Sequence, residues 1–184
     1  MRIVLLTGSP GVGKTTMVRN IADPLVASGL NVAGITTSEV RENGVRTGFR
    51  ITDLSTGKVG WLARKGLGRG PRIGSYRVVS EDLEGIGVEA LRGITNEKTD
   101  FAIVDEIGPM EMTSTSFRSA LVNVFHGTQS TLATIRLGSK YEEVETIREM
   151  CLQLELTNEN REQIHSTLIE QIYDWVGWME PENC

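Results

Sequence analysis

Gly8-Ser9-Pro10-Gly11-Val12-Gly13-Lys14-Thr15 meets the spacing G-x-x-x-x-G-K-[ST] in full. Each residue type in that spacing has a physical task. Glycines leave backbone N–H groups unshielded, so the loop can wrap a chain of phosphates. A helix entered directly from the loop turns its positive end toward the same anion. The Lys14 ammonium can reach the β- and γ-phosphates, and the Thr15 hydroxyl can ligate Mg²⁺. Thr16 is expected beside the α-phosphate. A dinucleotide fingerprint is not completed, because Gly11-Val12-Gly13 is followed by Lys14-Thr15-Thr16 rather than x-x-G.

A second constellation closes the apolar run Phe101–Val104 with Asp105-Glu106. An Asp at the C-terminal end of a strand can hold Mg²⁺, directly or through water. The adjacent Glu106 can polarise the water that attacks a γ-phosphate. Asp105-Glu106-Ile107-Gly108 also spells the D-x-x-G of switch GTPases, but no N-K-x-D base reader follows; Asn96 to Asp100 has the wrong spacing and lies upstream. The glycine-rich stretch 64–77 concentrates arginines, and Arg69 and above all Arg72 are candidates for a cis arginine finger. A surface ion pair is the structural alternative for Arg72. Asn160 and Arg161 are candidates to border the nucleotide base, with a helix-start cap as the alternative. His126 and His165 have no metal spacing.

These residues need rigid elements to hold them. Ile3–Leu6 and Phe101–Val104 are continuous apolar runs of strand length, as in parallel sheets covered on both faces. Val32–Thr36, Leu132–Ile135 and the alternating Leu152, Leu154 and Leu156 add three more strands. Met17, Val18, Ile21, Ala22, Leu25 and Val26 recur at helical spacing, with a stop at Gly29. Pro24 predicts a kink or an early end near Asp23. Asn43-Gly44 predicts a hairpin, and 38–63 reads as an antiparallel meander attached to the parallel sheet. Residues 64–77 read as a loop with a short strand near 76–79. Further helices are expected from Ser80, weakened by Gly85 and Gly87, over 117–125, over 141–150 and over 164–176. The alternation defines an α/β fold with a mostly parallel sheet in one domain, 1–184.

The composition excludes several classes. A net charge of −5 offers no overall electrostatic footprint for nucleic acid, which makes such a partner a weak expectation. The N-terminal apolar run is too short for a signal-peptide core, and no stretch has the length of a membrane span. Two cysteines, Cys151 and Cys184, form neither a disulfide framework nor a metal spacing, which fits a reducing cytoplasm. Trp175 and Trp178 read as core packing, with an exposed Trp178 as a patch for weak self-association of an otherwise monomeric chain.

Taken in order, five pieces resemble the small, cancer-related nucleoside-triphosphatase family of the THEP type. They are Gly8–Thr15; Glu39-Val40-Arg41-Glu42 with 44–49; Gly70-Pro71-Arg72-Ile73-Gly74; Val104 to Gly108 with Met110-Glu111; and Thr157 with Glu159-Asn160-Arg161. The resemblance implies a RecA-like P-loop core, a three-layer sandwich, and slow Mg²⁺-dependent hydrolysis of ATP, GTP and other nucleoside triphosphates. Two positions depart from the family pattern: Ser75 and Pro109 stand where lysine is common. A small-molecule or nucleotide kinase on the same core is the main rival, and the sequence names no residues for its second substrate.

Overall fold

The computed structural model describes residues 2–66, 69–95 and 98–177. The elements run β1 (Ile3–Gly8), α1 (Lys14–Ala27), β2 (Val32–Glu42), β3 (Val45–Asp53), β4 (Val59–Lys65), β5 (Arg72–Ile73) and β6 (Tyr76–Val78). A helical segment follows as α2 (Ser80–Asp82), a wide π turn (Leu83–Val88) and α3 (Glu89–Ile94). The chain continues through β7 (Phe101–Ile107), α4 (Thr115–Phe125), β8 (Ser130–Arg136), α5 (Glu142–Glu145), β9 (Leu152–Leu156) and α6 (Arg161–Val176). Asn96, Glu97, Trp178 and Cys184 lie outside the described residues.

The nine strands of the described residues form one sheet, in the order β5-β6-β4-β3-β2-β7-β8-β1-β9. The pairs β2–β7, β7–β8, β8–β1 and β1–β9 are parallel; those from β2 out to β5 are antiparallel. Strand β2 serves both halves. Its first residues pair with β7, and from Ile35 to Glu42 it also pairs with β3 across the hairpin at Asn43-Gly44.

Alternation along β1 fills two cores. Ile3 and Leu5 join one beneath α3 and α4, while Val4 and Leu6 join the other beneath α1 and α6. This double coverage is why the central strands are apolar without a break.

Two expectations are corrected, at α1 and at α5, and a third is given its form. Helix α1 runs past Pro24 to Ala27 and stops at Gly29, which takes a φ of 84°. Asn20, whose carbonyl loses its partner at Pro24, is exposed to water, and Leu25 just beyond is fully buried, so continuing the helix costs little and gains packing. The helix from Ser80 leaves regular α geometry where Gly85 and Gly87 are expected to weaken it: it widens into a π turn, and Gly87 packs closely on Ile51. The helix expected over 141–150 is only one turn. Thr146 donates its hydroxyl to the Glu143 carbonyl, and the following backbone bonds tighten to i→i−3.

Candidate active site

The loop between β1 and α1 is built for an anion. Gly11 and Gly13 take positive φ angles of 77° and 102°, which side chains with a Cβ rarely adopt. The N-terminus of α1 has no side-chain cap and no acid in its first turn. Its N–H groups are therefore left for a ligand. Ser9 and Val12 close the turn through Val12 N–H to the Ser9 carbonyl, at 3.2 Å. Pro10, Gly11, Gly13, Lys14, Thr15 and Thr16 all line a cleft of about 480 Å³.

Lys14 is buried, at 6% exposure, and donates to the Gly8 carbonyl at 3.1 Å. Its Nζ lies 3.8 Å from Glu106 Oε2. The sheet order explains the meeting: Glu106 is the penultimate residue of β7, two strands from β1, with β8 between them. Burial pushes the Glu106 carboxyl up, Lys14 and Arg136 pull it down, and Asp105 adds to the rise. The peptide bond between Asp105 and Glu106 is cis.

Asp105 is wholly buried. Its Oδ1 accepts the Thr134 hydroxyl at 2.6 Å from the intervening strand. Its Oδ2 has no hydrogen-bond partner. Burial raises this carboxyl's pKa, against the hydroxyls of Thr134 and Thr15 and the charges of Lys14 and Arg19. An orphaned, buried carboxylate oxygen beside a hydroxyl fits a hard cation. No cluster of three or more His, Cys, Asp or Glu residues suited to a metal exists among the described residues.

Asn160 and Arg161 sit behind the loop. The Asn160 amide is used at both ends, accepting from Thr157 N–H at 2.8 Å and donating to the Glu155 carbonyl at 2.8 Å. It caps no helix through its side chain. Arg161 donates to the Val12 carbonyl at 2.8 Å, and a Cβ on Gly13 would stand 2.9 Å from its Nη1. Arg161 thus braces the phosphate loop, while Asn160 fixes the turn between β9 and α6. Next to them a smaller cavity, about 250 Å³, is lined by Ser9 to Val12 and by 155–159.

The structure does not bring Arg72 to the cleft. Arg72 pairs with Arg77 at the sheet edge and donates to the Gly74 carbonyl at 2.9 Å. Side chains alternate along a strand; Ile73 packs on the core with Phe49, and Arg72 faces the other way. Arg69 is exposed and also absent from the cleft lining. The cleft's guanidinium groups belong to Arg46 and Arg136, which sequence reasoning missed. Arg136 had a readable signal: it ends an apolar strand, as Asp105-Glu106 does, and pairs in register with Gly8. Arg46 had none, since its place depends on the β2–β3 register; it binds Glu39 at 2.6 Å and the Tyr76 hydroxyl at 3.0 Å. Glu111, also missed, lines the cleft at 3% exposure; burial lifts its carboxyl to about 8, with Glu106 and Asp105 adding to the rise.

A phosphate cradle on one parallel strand and an acidic pair at the end of another, two strands away, make this a P-loop NTPase core of the α/β class. A family model described as NTPase matches residues 3–169, and the chain belongs to that family. It is 40% identical over 175 residues to "Nucleoside-triphosphatase THEP1" of Methanosarcina acetivorans, covering 95% of this chain and 98% of that protein. The protein of the same name from Thermofilum pendens is 48% identical over 131 residues, 71% of each chain. Among solved structures, THEP1 from Aquifex aeolicus superposes with a TM-score of 0.79 at 32% identity, covering 92% of this chain and 98% of that one. A human cancer-related nucleoside triphosphatase gives 0.80 at 32% identity, with 95% and 98% covered.

Proposed function

We propose that the protein hydrolyses nucleoside triphosphates at the γ-phosphate, with Mg²⁺ as cofactor and broad base tolerance. The observation that carries this reading is the position of Glu106, half-exposed in the cleft and 3.8 Å from the Lys14 ammonium. Glu106 accepts a proton from water, whose oxygen attacks the γ-phosphorus in line as the bond to the β–γ bridging oxygen breaks and the nucleoside diphosphate leaves. Lys14 and the N–H groups of the loop and of the first turn of α1 hold the phosphate oxygens. Arg136 stands at the strand end beside Gly8 and can meet charge that develops on the leaving side. Thr15 and Asp105 would hold Mg²⁺, which when bound neutralises charge on the phosphates. Thr134 keeps the Asp105 carboxylate aimed through its hydroxyl.

Broad tolerance follows from the smaller cavity, where a base extending from the loop would rest. Asn160 already spends its carbonyl oxygen and one amide N–H on the backbone, and the cavity is lined by backbone, by Thr157 and by the exposed residues Glu155, Asn158 and Glu159. ATP and GTP are therefore expected to be accepted alike.

A kinase reading is favoured by one observation: the main cleft continues past Glu106 to Thr37, Ser38, Phe49 and Leu62, space that a water does not need. Phosphate release from ATP and GTP, measured with Mg²⁺ and without an acceptor, separates the two. Release that Lys14→Ala abolishes supports hydrolysis; no release until an alcohol acceptor is added supports the kinase.

A further inference from the structure

Charge is divided unevenly along the chain. Between Glu39 and Arg77 the sequence carries nine of its 19 Lys and Arg residues and only three of its 24 acids. The antiparallel extension thus carries a net charge of +6 and the remainder −11, and the net −5 conceals both.

The arginines of the extension are gathered on one face. Arg64 lies directly opposite Arg77, and Arg77 directly opposite Arg72, in three neighbouring strands. Directly opposed residues share a face, and strands lie about 4.8 Å apart. Trp61 occupies the same face, with the Arg50 guanidinium 3.9 Å and the Arg64 guanidinium 4.0 Å from its ring centroid. Gly48 makes the room, since a Cβ there would stand 2.9 Å from the Trp61 ring. The opposite face of these strands carries Ile51, Leu62 and Val78 into the core.

Three like charges in a row destabilise a sheet unless something answers them. No carboxylate does: among the described residues, the ion pairs of the extension are Glu39 with Arg41 and Arg46, and none involves Arg50, Arg64, Arg72 or Arg77. Among the described residues, no helix covers the row either. Helices α1 and α6 pack on β1, β2, β7, β8 and β9, and the segment 80–94 packs on the inner face of β3 and β4. The bare face therefore presents four guanidinium groups around an aromatic ring, on a protein otherwise negative.

We infer that the Arg50–Trp61–Arg64–Arg77–Arg72 face of β3, β4, β6 and β5 is a docking surface for single-stranded nucleic acid. Guanidinium groups match phosphate oxygens in pairs. Trp61, with its flanking guanidinium planes, gives unpaired bases a stacking platform that a duplex cannot use. The surface lies outside the nucleotide cleft and involves none of the residues that hold phosphate or Mg²⁺ there.

The test is fluorescence anisotropy of a labelled 20-nucleotide single strand titrated with the full chain. Its duplex and anionic lipid vesicles serve as competitors. Four phosphate contacts give a slope of log K against log salt of about −2.8, or about a 50-fold loss between 50 and 200 mM. Arg77→Glu turns the row of three positive charges into an alternating one, so it is expected to keep or raise the unfolding midpoint while weakening binding about tenfold. Trp61→Ala is expected to weaken binding of the single strand about tenfold. The inference is overturned if the single strand does not bind at 50 mM salt, if Arg77→Glu binds as well as the native chain, or if duplex or vesicles compete more strongly than unlabelled single strand.

Discussion

Replacing Glu111 by Gln tests whether a buried acid of the cleft is kept protonated. The carboxyl is 3% exposed and its pKa rises from 4.5 to about 8, chiefly through burial. Below pH 4.5 it is protonated whether the chain is folded or not, and the stability it allows is fully present. As pH rises from 4.5 to 8 the unfolded chain ionises while the folded chain holds its proton, so stability falls. The slope approaches 1.4 kcal/mol per pH unit, and the full loss above pH 8 is about 5 kcal/mol. Glu111→Gln keeps the shape and cannot ionise, so it removes this loss. Urea unfolding of both forms at pH 5 and pH 8.5 is the assay. The native chain is expected to lose several kcal/mol relative to the variant between the two pH values. Parallel stability curves would show that Glu111 ionises normally and that its burial does not control its proton.

Gly13→Ala is expected to abolish triphosphate binding, because a φ of 102° strains any Cβ and the added methyl meets the Arg161 guanidinium; calorimetric titration with ATP checks it. Arg161→Ala removes the charged hydrogen bond that braces the Val12 carbonyl, and is expected to raise KM about tenfold with a smaller change in kcat. Arg72→Ala is expected to leave kcat unchanged, while Arg136→Ala lowers it; steady-state kinetics with ATP measure both.

The phosphate loop, the Asp105-Glu106 pair and the parallel strands were legible because each is a local pattern. Apolar runs such as Ile3–Leu6 report burial on both faces, and the glycine spacing reports the loop, with no knowledge of what lies alongside. The side of the sheet on which Arg72 falls was not legible, because it depends on the pairing of β5 with β6. Arg46 and Phe49 reach the cleft through the β2–β3 and β3–β4 registers, each of which contains a bulge. The course of α1 past Pro24 was hidden for another reason: the propensity of one residue lost to the packing of Leu25 and the exposure of Asn20. The basic face escaped notice because net charge averages over the acidic core.

The central claim is that Glu106 activates water on an Mg²⁺-bound triphosphate held by the loop. Phosphate release from ATP in the native chain and in Glu106→Gln, paired with ATP affinity for each, tests it most directly. EDTA is expected to stop the release, and the variant is expected to bind ATP as well as the native chain while its kcat falls about 100-fold or more. A Glu106→Gln variant that hydrolyses ATP near the native rate would contradict it.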